Sequence, residues 1–525
     1  MNKFTRKDFL KGALGSAAVL AASGCAERST QGTAQGAYDS PSSKPGRDLI
    51  LSDAMVITMD DKRRAFKSGY VWMRDGRIHR VGATVELTDV PNGITRRSLN
   101  GRLIMPGLVN SHTHGDALVR GLYDELSLAE WYGGVMWGTR REAAKPSTAQ
   151  INASGAAGIE PLLLEQMMGG VTTIACGGAA SVGPLTAITR SGVRAVVSRS
   201  TVNSTDDHVI SQFTPKERRE TPTYAVEQTR AMQREFNSDR VSIVPEALGV
   251  LRCTADMVVA MHDLAVETKS HFFMHAASSV DERDESKRRF GHGSITELER
   301  LGVLGPKTML AHCIWLDDAE IKLLAERQTG VSHNPVANAY YAEGLSPLPK
   351  LLASGVRVGL GTDGAATNNG QNLWETMKMA MLFQKQALET AHFGSAELAL
   401  ELVTRGAAAA LHMENEIGSL EVGKRADLIV IDMNRVALSP PQTIVSNLVY
   451  SNDRWAVRDV YVEGEPVVLD GVHQRLDSDA VIKKYGSAVE NMLKQSGRDT
   501  YLKERSKWQW QYGVSGILCD AGRFD

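Results

Sequence analysis

Eight short apolar or β-branched runs pace the middle of this chain, each ending in polar residues and each followed by a helical pattern. They are Leu103 to His114, Thr172 to Gly178, Arg194 to Ser200, Val241 to Gly249, His271 to Ser278, Thr308 to Ile314, Gly330 to Asn338 and Val356 to Gly364. Apolar residues recurring about every 3.6 positions predict helices over Ala255 to Thr268, Asp317 to Glu326 and Leu373 to Gln386. Eight strand-then-helix units predict an α/β fold, a (β/α)8 TIM barrel. No internal repeat or long low-complexity segment competes with that reading.

The remaining length has its own pattern. The chain has 525 residues, enough for roughly three domains. Strand-like runs with a tight-turn signal at Asp75-Gly76 lie before the barrel region, and similar runs follow it at Leu428 to Ile431 and at Val457 to Val468, turning at Gly464. We therefore expect a small β-sandwich domain built from residues 47–102 and 416–475, a barrel over 103–415 and a helical tail over 476–525. In the tail, Ala480 to Leu493 reads as a helix, and Trp508 and Trp510 as packing residues.

Residues 1–25 read as an export signal: Lys3, Arg6 and Lys7 precede an apolar stretch from Ala13 to Ala22. Thr5 to Lys11 resembles a twin-arginine export box, with Lys7 standing where the second arginine is usual. Ala22-Ser23-Gly24-Cys25 resembles a lipoprotein cleavage box in which Cys25 carries the lipid; an ordinary cleaved signal is the alternative. Residues 26–46 have the Ser, Gly, Thr, Gln and Pro content of a flexible tether. The expectation is an exported, extracytoplasmic protein whose membrane contact is a lipid at Cys25.

Composition excludes several alternatives. The 59 basic and 61 acidic side chains leave a net charge of -2, which gives no electrostatic reason to expect nucleic acid. A 42% apolar content argues against a disordered chain, and five cysteines argue against a disulfide scaffold. Cys176 and Cys313 lie in apolar runs and read as small buried hydrophobes. No repeated apolar run reaches the roughly 18 residues of a membrane span. A small-molecule partner fits this balance, and a homo-oligomer is compatible with it.

Barrel active sites sit at the C-terminal ends of the strands, and the chemistry-bearing residues of this sequence fall there. The first run ends in His112-Thr113-His114, whose imidazoles share one face because residues two apart on a strand do. His275, His312, His333 and Asp363 end the fifth to eighth runs. One strand histidine is most simply a satisfied core residue; five at one end of a barrel, with an aspartate, are not. Neutral imidazole plus carboxylate suits zinc or iron.

These residues lie in motifs that resemble the amidohydrolase superfamily, in the branch of triazine chlorohydrolases, methylthioadenosine and adenosylhomocysteine deaminases and guanine-type deaminases. The motifs are Met105 to His114 (MPGLVNSHTH), Leu310 to Cys313 (LAHC), Ser332 to Asn338 (SHNPVAN) and Gly361 to Asn369 (GTDGAATNN), with Trp131 and Trp137 resembling a tryptophan pair of that branch. The resemblance runs from about residue 48 to about 475. It implies one divalent metal, zinc or iron, on His112, His114, His275 and Asp363. One metal rather than two is implied because Val241 to Gly249 lacks the lysine that bridges two metals on the fourth strand. It also implies attack by metal-bound hydroxide, with Asp363 moving the proton and His312 orienting the nucleophile and steadying the developing oxyanion. Trp137 would face the substrate, and His333 and Asn338 would either face it or stand behind the ligands, with His333 equally able to fix the loop or a ligand.

Two departures bear on the substrate. Deaminases of this branch carry His-x-x-Glu on strand five; here His275-Ala276-Ala277-Ser278 puts Ser278 where the glutamate is expected. Glu246 or Glu282 could take its place only if the fold brings it there in space, with surface or core-edge roles the simpler expectation for both. A His-Ala-Pro segment usual on strand four is replaced by Gly249 to Cys253, which brings Arg252, otherwise a solvated loop residue, toward an anionic or carbonyl group. Both departures point away from adenosine-like substrates. The expected activity is hydrolysis of a non-peptide C–N bond, aminohydrolase-like, on a small heterocyclic or amidine-like substrate. An amide or urea hydrolase or a chlorohydrolase-like enzyme is the alternative, and a non-catalytic ligand-binding lipoprotein a further one.

Overall fold

A computed structural model describes residues 48–122, 127, 147–204, 219–452 and 454–496. Five strands come first: β1 (Leu49–Ile57), β2 (Ala65–Arg74), β3 (Arg77–Ala83), β4 (Thr95–Ser98) and β5 (Arg102–Pro106). The barrel follows with β6 (Leu108–His114), β7 (Val171–Gly177), β8 (Arg194–Thr201), β9 (Val241–Ala247), β10 (Phe272–Ala276), β11 (Thr308–His312), β12 (Gly330–His333) and β13 (Arg357–Leu360). The last strands are β14 (Leu428–Asp432), β15 (Val457–Val462), β16 (Glu465–Leu469) and β17 (Val472–His473).

Strands β6 to β13 pair in sequence order as one parallel eight-stranded sheet. The ends meet beyond β13, where the Asp363 amide donates to the His112 carbonyl at 2.9 Å and Thr113 bridges Asp363. The barrel interior is filled by a layer that includes Val109, Ala175, Val196, Val244, Phe273 and Met309. Helices expected from apolar spacing form over Ala255–Thr268, Asp318–Glu326 and Leu373–Ala387.

The outer strands form a nine-stranded sheet ordered β17-β16-β15-β14-β5-β1-β2-β3, with β4 pairing β1. The two ends of the chain join where β5 pairs antiparallel with β14. Period-two alternation lets these two strands serve two cores. Leu103, Met105, Ile429 and Ile431 pack toward the barrel core, while Ile104, Leu428 and Val430 pack into the core of the sheet. The hairpins turn at Asp75-Gly76 and Glu463-Gly464 with both φ angles positive in each pair, a backbone that matches strand twist.

One boundary differs from expectation. The run from Leu103 to His114 is two strands, so the division drawn between 102 and 103 moves to Gly107. A Cβ at Gly107 would lie 2.1 Å from Thr172 Oγ1, so only glycine permits the crossing. The seventh run is also shorter than expected: β12 ends at His333, and Asn338 lies on a short helix, Pro335–Tyr340, that opens with proline.

Ion pairs, buried at Arg194 and more open at Arg240, tie the sheet to the strand starts, away from the barrel mouth. Arg194, first residue of β8, donates to Asp427 at 2.9 and 3.2 Å, and Arg240 donates to Glu463 and Glu465 at 2.8 Å. The terminal helix Ser478–Ser496 packs on the helix Thr148–Met168, with Lys484 Nζ 2.9 Å from Glu160 Oε2. Among the described residues, no helix is long and apolar enough to cross a membrane. Cys176 and Cys313 are buried free thiols, as is Cys253. Cys25, Trp131, Trp137, Trp508 and Trp510 lie outside the described residues.

Candidate metal centre and active site

Four of the expected residues converge at the C-terminal end of the barrel. His112 Nε2 and His114 Nε2 lie 3.5 and 3.3 Å from Asp363 Oδ1, and His275 Nε2 lies 3.4 Å from His114 Nε2. Two ligand atoms bound tetrahedrally at about 2.05 Å stand about 3.3 Å apart. The spacing therefore fits one small cation. His112 Nε2 is buried and has no hydrogen-bond partner among the described residues, an arrangement that is costly unless something else takes its lone pair.

Each imidazole is oriented from behind. His114 Nδ1 lies 3.0 Å from the Gly177 carbonyl, which fixes the proton there and turns Nε2 into the site. His275 Nδ1 faces Glu246 Oε1 at 3.3 Å. His312 Nδ1 donates to Asn338 Oδ1 at 2.9 Å, so its Nε2 faces Asp363 Oδ2 at 3.9 Å. The two oxygens of Asp363 thus face different groups, Oδ1 the histidine pair of β6 and Oδ2 His312.

Burial pushes His112 down to about 3, leaving a neutral imidazole, and lowers His312 as well. Burial also lowers His114, but the Asp363, Asp116 and Glu246 charges and the Gly177 carbonyl together outweigh it and raise the group overall. For Asp363 burial acts upward, yet close approach of His112 and the influence of the neighbouring His312 and His114 imidazoles hold the carboxyl well below its usual range. Likewise burial raises Glu246, while His275, Ser198 and Ser200 bring it down to about 2. Imidazole nitrogens beside an ionised carboxylate are the donor chemistry of zinc or iron.

The backbone at these strand ends is held off its preferred regions. His312, Cys313, Asp363 and Ala277 have φ of 79, 48, 61 and 51°, in the left-handed region that side chains disfavour. The Asp363 turn is fixed by a polar network. Asn110 Nδ2 donates to Gln166 and Thr362, Thr113 and Thr362 donate to Gln371 Oε1, and Gln371 Nε2 donates to the Asp363 carbonyl. Asp116 accepts from the Ala365 and Ala366 amides at 2.7 and 3.2 Å, and a Cβ at Gly364 would fall 2.3 Å from its Oδ2.

Other expected residues stand differently. Ser278 donates its hydroxyl to Glu282 Oε2 at 2.7 Å, and Glu282 also accepts from the Ser278 and Ala277 amides and from Ser294 Oγ. Glu282 and Glu246 are both buried, which corrects the expectation of surface or edge positions. Arg252 is buried rather than solvated, and its carbonyl accepts from the Asn203 and Ser204 amides. Neither ring nitrogen of His333 has a partner among the described residues, and burial pushes this imidazole down to about 3. Asn338 uses its side-chain oxygen on His312.

Sequence reasoning missed Asp116, Gln371, Ser198 and Ser200, and weighed Glu246 only as a stand-in for the glutamate absent at Ser278. Glu246 carried a signal: a carboxylate near the end of an apolar strand, at the same end of the barrel as His275.

The geometry has counterparts among known proteins. A family model described as the amidohydrolase family matches residues 103–467. A 5'-deoxyadenosine deaminase of Methanosarcina acetivorans is 32% identical over 450 residues, 85% of this chain and 98% of that protein. A 5-methylthioadenosine/S-adenosylhomocysteine deaminase of Nitratidesulfovibrio vulgaris is 32% identical over 445 residues, 84% and 96% of the two chains. The crystal structure of an adenosine deaminase from Xanthomonas campestris with bound zinc superposes with a TM-score of 0.77 at 24% identity, covering 85% of this chain and 99% of that one.

Proposed function

Because the chain belongs to the amidohydrolase family, we propose that it is a zinc-dependent aminohydrolase that removes an amino group from a small heterocycle. The coarser activity, hydrolysis of carbon–nitrogen bonds, is that of the family and of the deaminases it resembles. The observation that carries the finer reading is the convergence of His112, His114, His275 and Asp363 at the spacing of one small cation. These four residues hold the metal, which supplies a Lewis acid able to make water nucleophilic near neutral pH. Zinc suits the donor set, and the similar Xanthomonas protein binds it.

The chain's own groups handle protons and charge. Asp363 Oδ2, ionised and turned toward His312, accepts a proton from the attacking water and returns it to the departing nitrogen. His312, locked by Asn338 with Nε2 inward, holds that water and steadies charge developing on oxygen. The amino-heterocycle class draws support from relatives named as deaminases of 5'-deoxyadenosine and of 5-methylthioadenosine and S-adenosylhomocysteine, although Ser278 and the segment Gly249 to Cys253 depart from the motifs of such deaminases.

Ser278 favours a second reading. Its hydroxyl donates to Glu282, so toward a ligand it offers lone pairs and no acidic proton. Amides and ureas, for which Asp363 alone manages the protons, fit that arrangement. Ammonia release and metal content separate the two. Purified protein with one zinc per chain should release ammonia from an aminopurine nucleoside or aminotriazine, and Asp363→Asn should lower that rate about 10²- to 10⁴-fold. Hydrolysis of amides or ureas with no ammonia from any amino-heterocycle would establish the second reading instead.

We further propose that residues 1–25 direct export and that Cys25 is lipidated, on the strength of the basic start, the apolar stretch and the small-residue box before Cys25. The expected result is a membrane-associated protein that Cys25→Ser releases into the soluble extracytoplasmic fraction. Wild-type protein recovered wholly in the cytoplasm would refute it.

A further inference from the structure

We propose that Glu246 is a positioning residue for the metal, holding His275 in the tautomer and orientation that ligation requires. The inference rests on the reading that His275 is a ligand, and it adds a residue from the neighbouring strand to that site.

Strand register places Glu246 there. Val244 belongs to the layer that fills the barrel interior, and two residues on, Glu246 points the same way and one layer higher. Val196 lies in the same interior layer of β8, so Ser198 and Ser200 follow it on the inward face. On β10, Phe273 pairs with Glu246, and His275 stands two residues beyond Phe273 on the same face. Ser198, Ser200, Glu246 and His275 therefore form one inward-facing cluster from three adjacent strands.

The hydrogen bonds divide the carboxylate. Both serine hydroxyls donate to Oε2, while Oε1 faces His275 Nδ1 at 3.3 Å. Ser198 Oγ in turn accepts from the Gly178 amide at 3.0 Å, which anchors the cluster to β7. Glu246 is 1% exposed, and His275 Nδ1 is buried with no other partner among the described residues. A neutral imidazole has one N–H. If Nδ1–H faces Glu246, the lone pair lies on Nε2, the nitrogen 3.4 Å from His114 Nε2. The carboxylate also brings a negative charge next to a ligand of the cation, inside a barrel where screening is weak.

A strand-packing role predicts something different. A buried carboxylate used only for packing would stabilise the metal-free barrel and leave metal affinity alone. A positioning role predicts the reverse, because an isosteric amide removes a buried charge while keeping an acceptor for the two serines.

The full chain is tested as wild type, Glu246→Gln and the double variant Ser198→Ala/Ser200→Ala. Zinc affinity is measured by competition with a chelator, and Tm with and without zinc. The proposal expects Glu246→Gln to bind zinc about 10- to 100-fold more weakly, with the metal-free Tm unchanged or higher. The double variant, which keeps the charge but loses both donors, should weaken zinc by a smaller factor. Glu246→Gln with wild-type zinc affinity overturns the proposal, as does a double variant with wild-type affinity if Glu246→Gln does not fold. A wild-type protein that binds no zinc instead overturns the underlying assignment of the ligands.

Discussion

His312 Nε2 stands 3.9 Å from Asp363 Oδ2, beyond direct hydrogen-bond reach, while its Nδ1 is tied to Asn338 at 2.9 Å. The Asn338 bond decides which nitrogen points inward, and the gap leaves both groups able to address one reacting atom. Sequence alone left Asn338 either facing the substrate or supporting the site from behind; the structure gives its oxygen to His312.

That relationship makes Asn338→Ala informative. Without the acceptor on Nδ1, His312 can rotate and populate the other tautomer. Misplacing a reacting group by about 1 Å can cost a hundredfold in rate. We expect kcat to fall about 10- to 100-fold, with zinc stoichiometry and Tm near wild type. Parallel steady-state kinetics and metal analysis check this; loss of zinc with the rate would assign Asn338 to the ligand framework instead.

Glu282 serves the loop after β10. It accepts four hydrogen bonds, from the Ala277 and Ser278 amides and the Ser278 and Ser294 hydroxyls. Glu282→Ala leaves those donors buried, at about 1–3 kcal/mol for a stranded group. The variant should unfold several degrees below wild type in a thermal scan. Ser278→Ala removes one of the four donors and should cost much less. Equal Tm for Glu282→Ala and wild type would mean that the loop does not depend on this carboxylate.

Acid should loosen the fold through histidines outside the metal site. His473 Nδ1 accepts from the Arg475 and Leu476 amides, both at 3.1 Å, so protonating it breaks two bonds. Burial, with the Arg475 charge, pushes His473 down to about 4; burial pushes His271 to about 4 as well. The unfolded chain takes up these protons near pH 6.5, before the folded protein does. Stability from these groups is therefore full above about pH 6.5 and is lost as pH falls toward 4, at about 1.4 kcal/mol per pH unit for each proton. Urea midpoints of metal-free protein measured from pH 7.5 to 4.5 should decline over that window. His473→Gln should flatten the decline; an unchanged slope would remove His473 from the explanation.

The barrel was legible because its eight runs carry their own punctuation, and the candidate site because His112, His114, His275 and Asp363 sit at strand ends where topology gathers them. What escaped was pairing between side chains on different strands. Glu246 reads as an isolated carboxylate until register sets it beside Ser198, Ser200 and His275. Gln371 and Asp116 are likewise unremarkable in sequence, and gain their roles from the turn that brings Asp363 against Thr113. The division at Gly107 was missed because apolar residues continue from Leu103–Met105 to Leu108–Val109, and only strand pairing, β5 with β1 and β14 but β6 with β7, separates the two strands.

The central claim is that one cation sits among His112, His114, His275 and Asp363. Anomalous diffraction at the zinc edge from crystals of zinc-loaded protein tests it most directly. The account predicts a single strong peak about 2.0–2.2 Å from His112 Nε2, His114 Nε2, His275 Nε2 and Asp363 Oδ1. A peak bound by other residues, a second peak of equal height beside Glu246, or no peak at this end of the barrel would contradict it.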